Sequence, residues 1–147
     1  MRSFGAIILL CALLTACVNT PPESKELSER AVTSLLAGSS TKAPVVVNAI
    51  GVQQAIGTPS MFGPTDYEYF GSARLPPDTL ETFVSAARPI SQRPEYVRPQ
   101  SAAPWWPNKQ KFSTLEFLEH PSPSPGIVGW IAVDRESGTV YFVLGTT

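Results

Sequence analysis

The chain has 147 residues, 43% of them apolar and 16% charged, which fits one small globular domain and excludes a multidomain enzyme of ordinary size. Its formal net charge of −1 exerts no general pull on nucleic acid or on an anionic membrane. One histidine (His120) and two cysteines (Cys11, Cys17) exclude zinc fingers, Cys/His zinc hydrolases and disulfide-dense scaffolds, while 15 prolines predict a loop-rich fold.

The chain opens MRSFGAIILLCALLTAC, with Arg2 as its one cation and an apolar run from Phe4 to Leu14. At eleven residues this run is too short for a stable membrane-spanning helix, which needs about 20. It has the length of a secretory signal core. Its end, Leu14-Thr15-Ala16-Cys17, resembles the lipobox of bacterial lipoproteins: a branched apolar residue, two small residues, then Cys. The resemblance implies cleavage between Ala16 and Cys17, and Cys17 as the site of fatty acylation (diacylglycerol on sulfur, usually a further palmitate-type chain on nitrogen). One acyl chain holds a protein at a membrane only marginally, whereas two or three anchor it stably. Val18 follows the Cys in place of the Asp that such proteins use for inner-membrane retention, which implies the outer membrane, facing the periplasm, in a Gram-negative host. The mature chain is then 17–147, with a formal net charge of −2 and no free thiol. An extracytoplasmic address leaves no role for nucleotide cofactors or nucleic acid.

In chain order, the signal (1–16) gives way to a lipidated tether with a short helix (17–43) and then to a small α+β domain (44–147). Thr20, Pro21 and Glu23 suit an N-cap, first turn and capping box, and Leu27, Ala31, Val32, Leu35 and Leu36 form one helical face ending at Gly38. That narrow stripe predicts a helix packed on the domain rather than a free stalk. Residues 38–42 read as a flexible link and β-branched Pro44–Ile50 as a strand. Residues 51–63 carry no clean periodicity. From Asp66 the chain alternates: Tyr67, Tyr69, Gly71, Ala73 and Leu75 on one face of a strand, Glu68, Phe70, Ser72 and Arg74 on the other. After Pro76-Pro77, Asp78 is placed to cap a helix whose Leu80, Phe83, Val84 and Ala87 share a stripe, and Pro89 ends it.

Residues 88–111 predict a long proline-punctuated loop, and Phe112–Leu118 a strand. The end reads as a hairpin: Ile127–Val133, a turn over Asp134–Gly138, then Thr139–Leu144, both arms apolar enough to lie centrally with a helix over at least one face. The expected fold is a loop-rich α+β domain, with an antiparallel sheet of three to five strands and one or two packed helices. The order of aromatic strand, LPP, capped helix, Pro-Trp-Trp-Pro loop and terminal D-x-x-x-G-x-V-Y hairpin resembles small bacterial lipoproteins to which no activity is assigned, so it implies nothing about mechanism.

Candidate chemistry is sparse. A Ser–His–Asp arrangement has only His120 as base, and no G-x-S-x-G occurs, so a surface or strand-end imidazole is the plainer reading. Asp66 and Glu68 share a strand face and fit paired-carboxylate hydrolysis. A turn residue and a solvated strand residue explain them as well. Asp134-x-Glu136 lacks the pattern of a calcium loop, so neither metal nor cofactor is expected. The loop over 88–111 carries most weight. Arg88, Arg93, Arg98, Lys109 and Lys111 oppose Glu95 alone, a local charge of +4, with Tyr96, Trp105 and Trp106 interleaved. Arg93, Tyr96, Arg98, Trp105, Trp106 and Lys109 are therefore the candidate partner-binding residues, since Trp and Arg are enriched at interface hot spots. The competing reading is that one Trp plugs the core and the prolines stiffen a surface loop. The expected function is a non-enzymatic envelope binding module (an immunity-type inhibitor or an accessory subunit of an envelope assembly) with a protein or envelope-glycan partner. A small envelope hydrolase and a structural cell-wall-contacting lipoprotein are the alternatives.

Overall fold

The computed structural model describes residues 24–57 and 66–147. The signal segment, the cleavage site, Cys17 and the Thr20–Glu23 capping box lie outside the described residues.

Among the described residues, six strands form one fully antiparallel sheet: β1 (Ser24–Leu27), β2 (Asn48–Ile56), β3 (Asp66–Arg74), β4 (Glu116–Glu119), β5 (Ile127–Asp134) and β6 (Thr139–Thr146), in the spatial order β1-β2-β3-β6-β5-β4. Three helices among the described residues accompany it: α1 (Glu29–Ala37), α2 (Pro77–Ala86) and α3 (Lys109–Thr114). The α+β class is as expected, but the sheet has six strands rather than three to five, and there is one helix more than the one or two expected.

The extra strand is β1. Ser24–Leu27 pairs residue for residue with Gln54–Gly51 of β2, where a helical stripe including Leu27 was expected. The helix begins only after Ser28, whose hydroxyl accepts from the Ala31 N–H at 3.2 Å. Four residues with mixed polarity have no strand signal of their own, and the free edge of β2 supplies it. Val32 and Leu36 of α1 are fully buried in the main core, so the helix packs on the domain. Residues 24–37 thus pair with β2 and pack on the main core. The strand expected over 44–50 begins instead at Asn48 and runs on to Ile56, through a stretch without periodicity, because it pairs along its whole length with β3.

The alternation in β3 is as read. Tyr69, Ala73 and Leu75 point into one core and Phe70 into another. The first core lies under α1 and α2, where Leu80, Phe83 and Val84 meet Ile131, Val133, Val140, Phe142 and Leu144. Pro77 occupies the first turn of α2, with Pro76 as its N-cap and no side-chain capping bond, so Asp78 sits inside the first turn instead of capping it. An acidic residue there still favours the helix N-terminus electrostatically. Gly71 is required by this core. A Cβ at that position would lie 2.1 Å from the Cζ of Phe142, whose ring covers the glycine from the paired position on β6. The terminal hairpin is internal in the sheet, as its apolar arms predict, and its turn closes with Gly138 at φ 70°.

The second face is covered without a long helix. After α2 the chain runs along the outer edge of β4, where the Glu119 N–H donates to the Arg88 carbonyl at 2.7 Å and Pro89 bridges Leu118. This covers an edge that would otherwise offer unpaired backbone groups. The chain then crosses the second face as far as β1 and β2 and returns into α3. The strand expected over Phe112–Leu118 divides accordingly. Asn108 caps α3 by accepting from the Lys111 N–H at 2.8 Å, and β4 begins only at Glu116. Beneath this strap lie two smaller cores, one built on Val52, Phe70, Trp106 and Val143, the other on Phe112, Leu115, Phe117 and Ala132.

Candidate functional site

The six residues expected to bind a partner all lie on the strap or at its end, and the structure divides them. Trp106 is a core residue, 7% exposed. A turn places it, with the Trp106 N–H donating to the Ala103 carbonyl at 2.9 Å and Pro104 in the second position, where its ring presets φ. Its indole N–H donates to the Val97 carbonyl at 2.7 Å, and its ring meets Phe70 edge-on at 5.2 Å and Tyr141 at 5.9 Å. Trp105, next in sequence, stacks edge-on against Trp106 at 5.8 Å and stays half-buried.

Arg93 is also consumed by the scaffold. One terminal guanidinium nitrogen donates to the carbonyls of Phe112 and Ser113 at 2.9 and 2.7 Å, at the end of α3, and the group lies 4.7 Å from the centre of the Phe117 ring. It acts as a side-chain cap for a helix too short to cap itself well. The Tyr96 hydroxyl donates to the Pro107 carbonyl at 3.2 Å while its ring meets Phe112, so Tyr96 ties the two limbs of the strap together. Lys111 pairs with Asp134 at 2.8 Å and pins α3 to the β5–β6 turn. Burial pulls the Asp134 carboxyl upward, but the Lys111 ammonium and the Ser137 hydroxyl outweigh it and hold it below the usual carboxylate range. The hydrogen bond to Asp134 in turn raises the Lys111 ammonium.

Arg98 and Lys109 remain. Both are exposed, and neither forms an ion pair among the described residues. Arg98 rims a cleft of ≈ 430 Å³ inside the strap, together with Tyr96, Gln100, Ala103, Trp106 and Asn108. Lys109 and Trp105 flank that cleft in sequence. A residue the sequence did not single out anchors its far side: Gln54, 5% exposed, accepts from the Gln100 N–H at 3.0 Å and donates to Glu68 at 2.9 Å. A glutamine within a strand carries no signal for this, because its partner lies 46 residues away.

The hydrolytic candidates are placed otherwise. His120 follows β4 directly, and it is buried instead of lying on the surface. Its Nδ1 accepts from the Ser122 N–H at 3.1 Å, so its Nε2 carries the proton and donates to the Leu35 carbonyl at 3.1 Å. Burial pushes its pKa below the ordinary imidazole value, outweighing the upward pull of the Leu35 and Leu36 carbonyls. The imidazole is thus a neutral bolt between the C-terminal end of α1 and the turn after β4. The Ser39 N–H reinforces the joint by donating to the Ser122 carbonyl at 2.9 Å. Asp66 is exposed at the start of β3, and Glu68 is engaged by Gln54. Comparison with known protein families, with curated proteins and with solved structures finds no match. Among the described residues no group of three His, Cys, Asp or Glu side chains is placed to hold a metal ion.

Proposed function

We propose that the protein is a membrane-anchored envelope lipoprotein acting as a non-enzymatic binding module, either an immunity-type inhibitor or an accessory subunit of an envelope assembly. The lipobox supports the anchor. The strap cleft is the observation that carries the binding role. It sets an exposed guanidinium, Arg98, which forms no ion pair among the described residues, beside aromatic and amide groups on a segment that is braced from both sides. Exposed Arg with neighbouring half-buried aromatics, held rigid before contact, is the composition from which interface hot spots are made. The hydrolase alternative draws no support from His120, whose two ring nitrogens are both occupied by the scaffold.

Two experiments test this reading. Mass spectrometry of protein extracted from membranes is expected to find Cys17 as the first residue, carrying diacylglycerol. An intact, unmodified Met1 terminus overturns the anchor. For the binding role, cross-linked partners are captured from envelope extracts with the native chain and with a variant carrying Arg98→Ala, Trp105→Ala and Lys109→Ala. Trp106 is kept, because its loss would unseat the strap. The variant is expected to lose about tenfold or more of its capture of any specific partner, the scale of one or two hot-spot contacts. Undiminished capture assigns the contact to another face.

A further inference from the structure

The fold shields the edges of its sheet except along one stretch. Arg88–Ile90 runs along the outside of β4, and β1, with exposed Lys25 and Glu26, covers β2 from Gly51 to Gln54. Among the described residues no strand lies outside Asn48–Ile50, and none pairs with Pro44–Val47 before it. Three of the five large apolar side chains that stand exposed among those residues fall here: Val45, Val47 and Ile50, at 62%, 60% and 46%. Val45–Val47 is also the chain's one run of three valines, a sequence that favours a strand. It stops short of being one for want of a partner. The Val47 N–H donates to the Arg74 carbonyl at 2.8 Å, but the N–H groups of Ala43, Val45 and Val46 donate to no backbone carbonyl among the described residues. A cleft of ≈ 360 Å³ separates this segment from α2, with Pro44 and Val45 on one side and Thr82, Phe83 and Ala86 on the other. An extended segment with free backbone groups thus lies beside a helix, across an apolar cleft.

We propose that Ala43–Val47 is a site of β-strand addition, where an extended segment of a partner protein pairs with the free backbone and sets a large apolar side chain (Leu, Ile, Met or Phe) into the cleft against α2. In this mode main-chain hydrogen bonds supply affinity, and a pocket for alternate side chains supplies selectivity. Lys42 and Asp78 also line the cleft, and neither forms an ion pair among the described residues. A partner segment with an acidic and a basic residue beside its apolar centre therefore matches it in charge. A second copy of this chain fits less well. Paired through the same segment, it brings only alanine, proline and valine side chains to a cleft of ≈ 360 Å³ and leaves much of it empty. The site shares no lining residue with the strap cleft, so it stands independently of the role given to Arg98.

A random library of displayed heptapeptides, selected on the full chain purified in detergent, supplies the probe. Enriched peptides are expected to carry large aliphatic residues at alternate positions. They are expected to bind about tenfold or more weakly to Val45→Asp and to Ala86→Phe, which alter exposed residues on the two sides of the cleft. A second readout needs no change to the protein. N-methylation of alternate peptide bonds in the probe is expected to abolish binding, and methylation of the intervening ones to leave it, because only every second N–H of an added strand faces its neighbour. The variant lacking the Arg98, Trp105 and Lys109 side chains is expected to bind the same peptides with unchanged affinity. A selection that enriches nothing, equal binding by Val45→Asp, or binding indifferent to N-methylation overturns the proposal. A dimer in detergent that Val45→Asp dissociates also overturns it, and assigns the segment to a second copy of the chain.

Discussion

Replacing Trp106 with Ala is expected to cost about 3–5 kcal/mol of folding stability, measured by reversible urea unfolding. Three losses combine. The indole leaves a cavity among Phe70, Tyr141 and Trp130, the Val97 carbonyl loses its donor, and the turn from Ala103 no longer inserts anything into the sheet. The strap is then held mainly by Arg93, Tyr96 and Gln54. Hydrogen exchange at the Gln100 amide, which Gln54 protects, is expected to accelerate more than exchange in β5 and β6. Trp106→Phe keeps a ring but not the donor, and about 1–2 kcal/mol of the loss is expected to remain. An unchanged unfolding midpoint for the Ala variant would show that the strap is not part of the cooperative unit.

The second large effect concerns acid. His120 is neutral in the fold, and burial holds its pKa below the unfolded value of about 6.5. The unfolded chain therefore binds a proton at a pH where the folded chain refuses it. The stability His120 contributes is fully present above about pH 6.5 and is lost as pH falls through the folded-state value. Protonation would also set an Nδ1–H against the Ser122 N–H, breaking the joint between α1 and the turn. His120→Ala is expected to cost about 2–4 kcal/mol at pH 7.5, since it empties a buried site and strands the Leu35 carbonyl. The variant is also expected to lose less stability than the native chain between pH 7 and pH 5. This is the only imidazole in the chain, and Asp134 titrates below the usual carboxylate range, so neither another His nor that aspartate masks the effect. Equal pH slopes for the two proteins would refute the neutral-bolt assignment.

What the sequence states on its own is whatever a short window can express. The alternation from Tyr67 to Leu75, the stripe Leu80–Phe83–Val84 and the two apolar arms of the terminal hairpin each show their buried face through periodicity alone, and each lies where that periodicity puts it. Tertiary structure decided the rest, because those choices depend on partners distant in the chain. Ser24–Leu27 is a strand only because β2 offers a free edge, and Asn48–Ile56 is one strand because β3 runs beside all of it. Arg93 and Trp106 sit among prolines and cations in a stretch whose sequence leaves open whether a Trp enters the core or meets a partner. The second face of the sheet has no long helix to cover it, so Trp106 turned inward, exposed Arg93 was taken up by the carbonyls at the end of α3, and Arg98 and Lys109 were left at the surface. An apolar stripe is written by residues a few positions apart, whereas the closing of an uncovered sheet face depends on the whole fold.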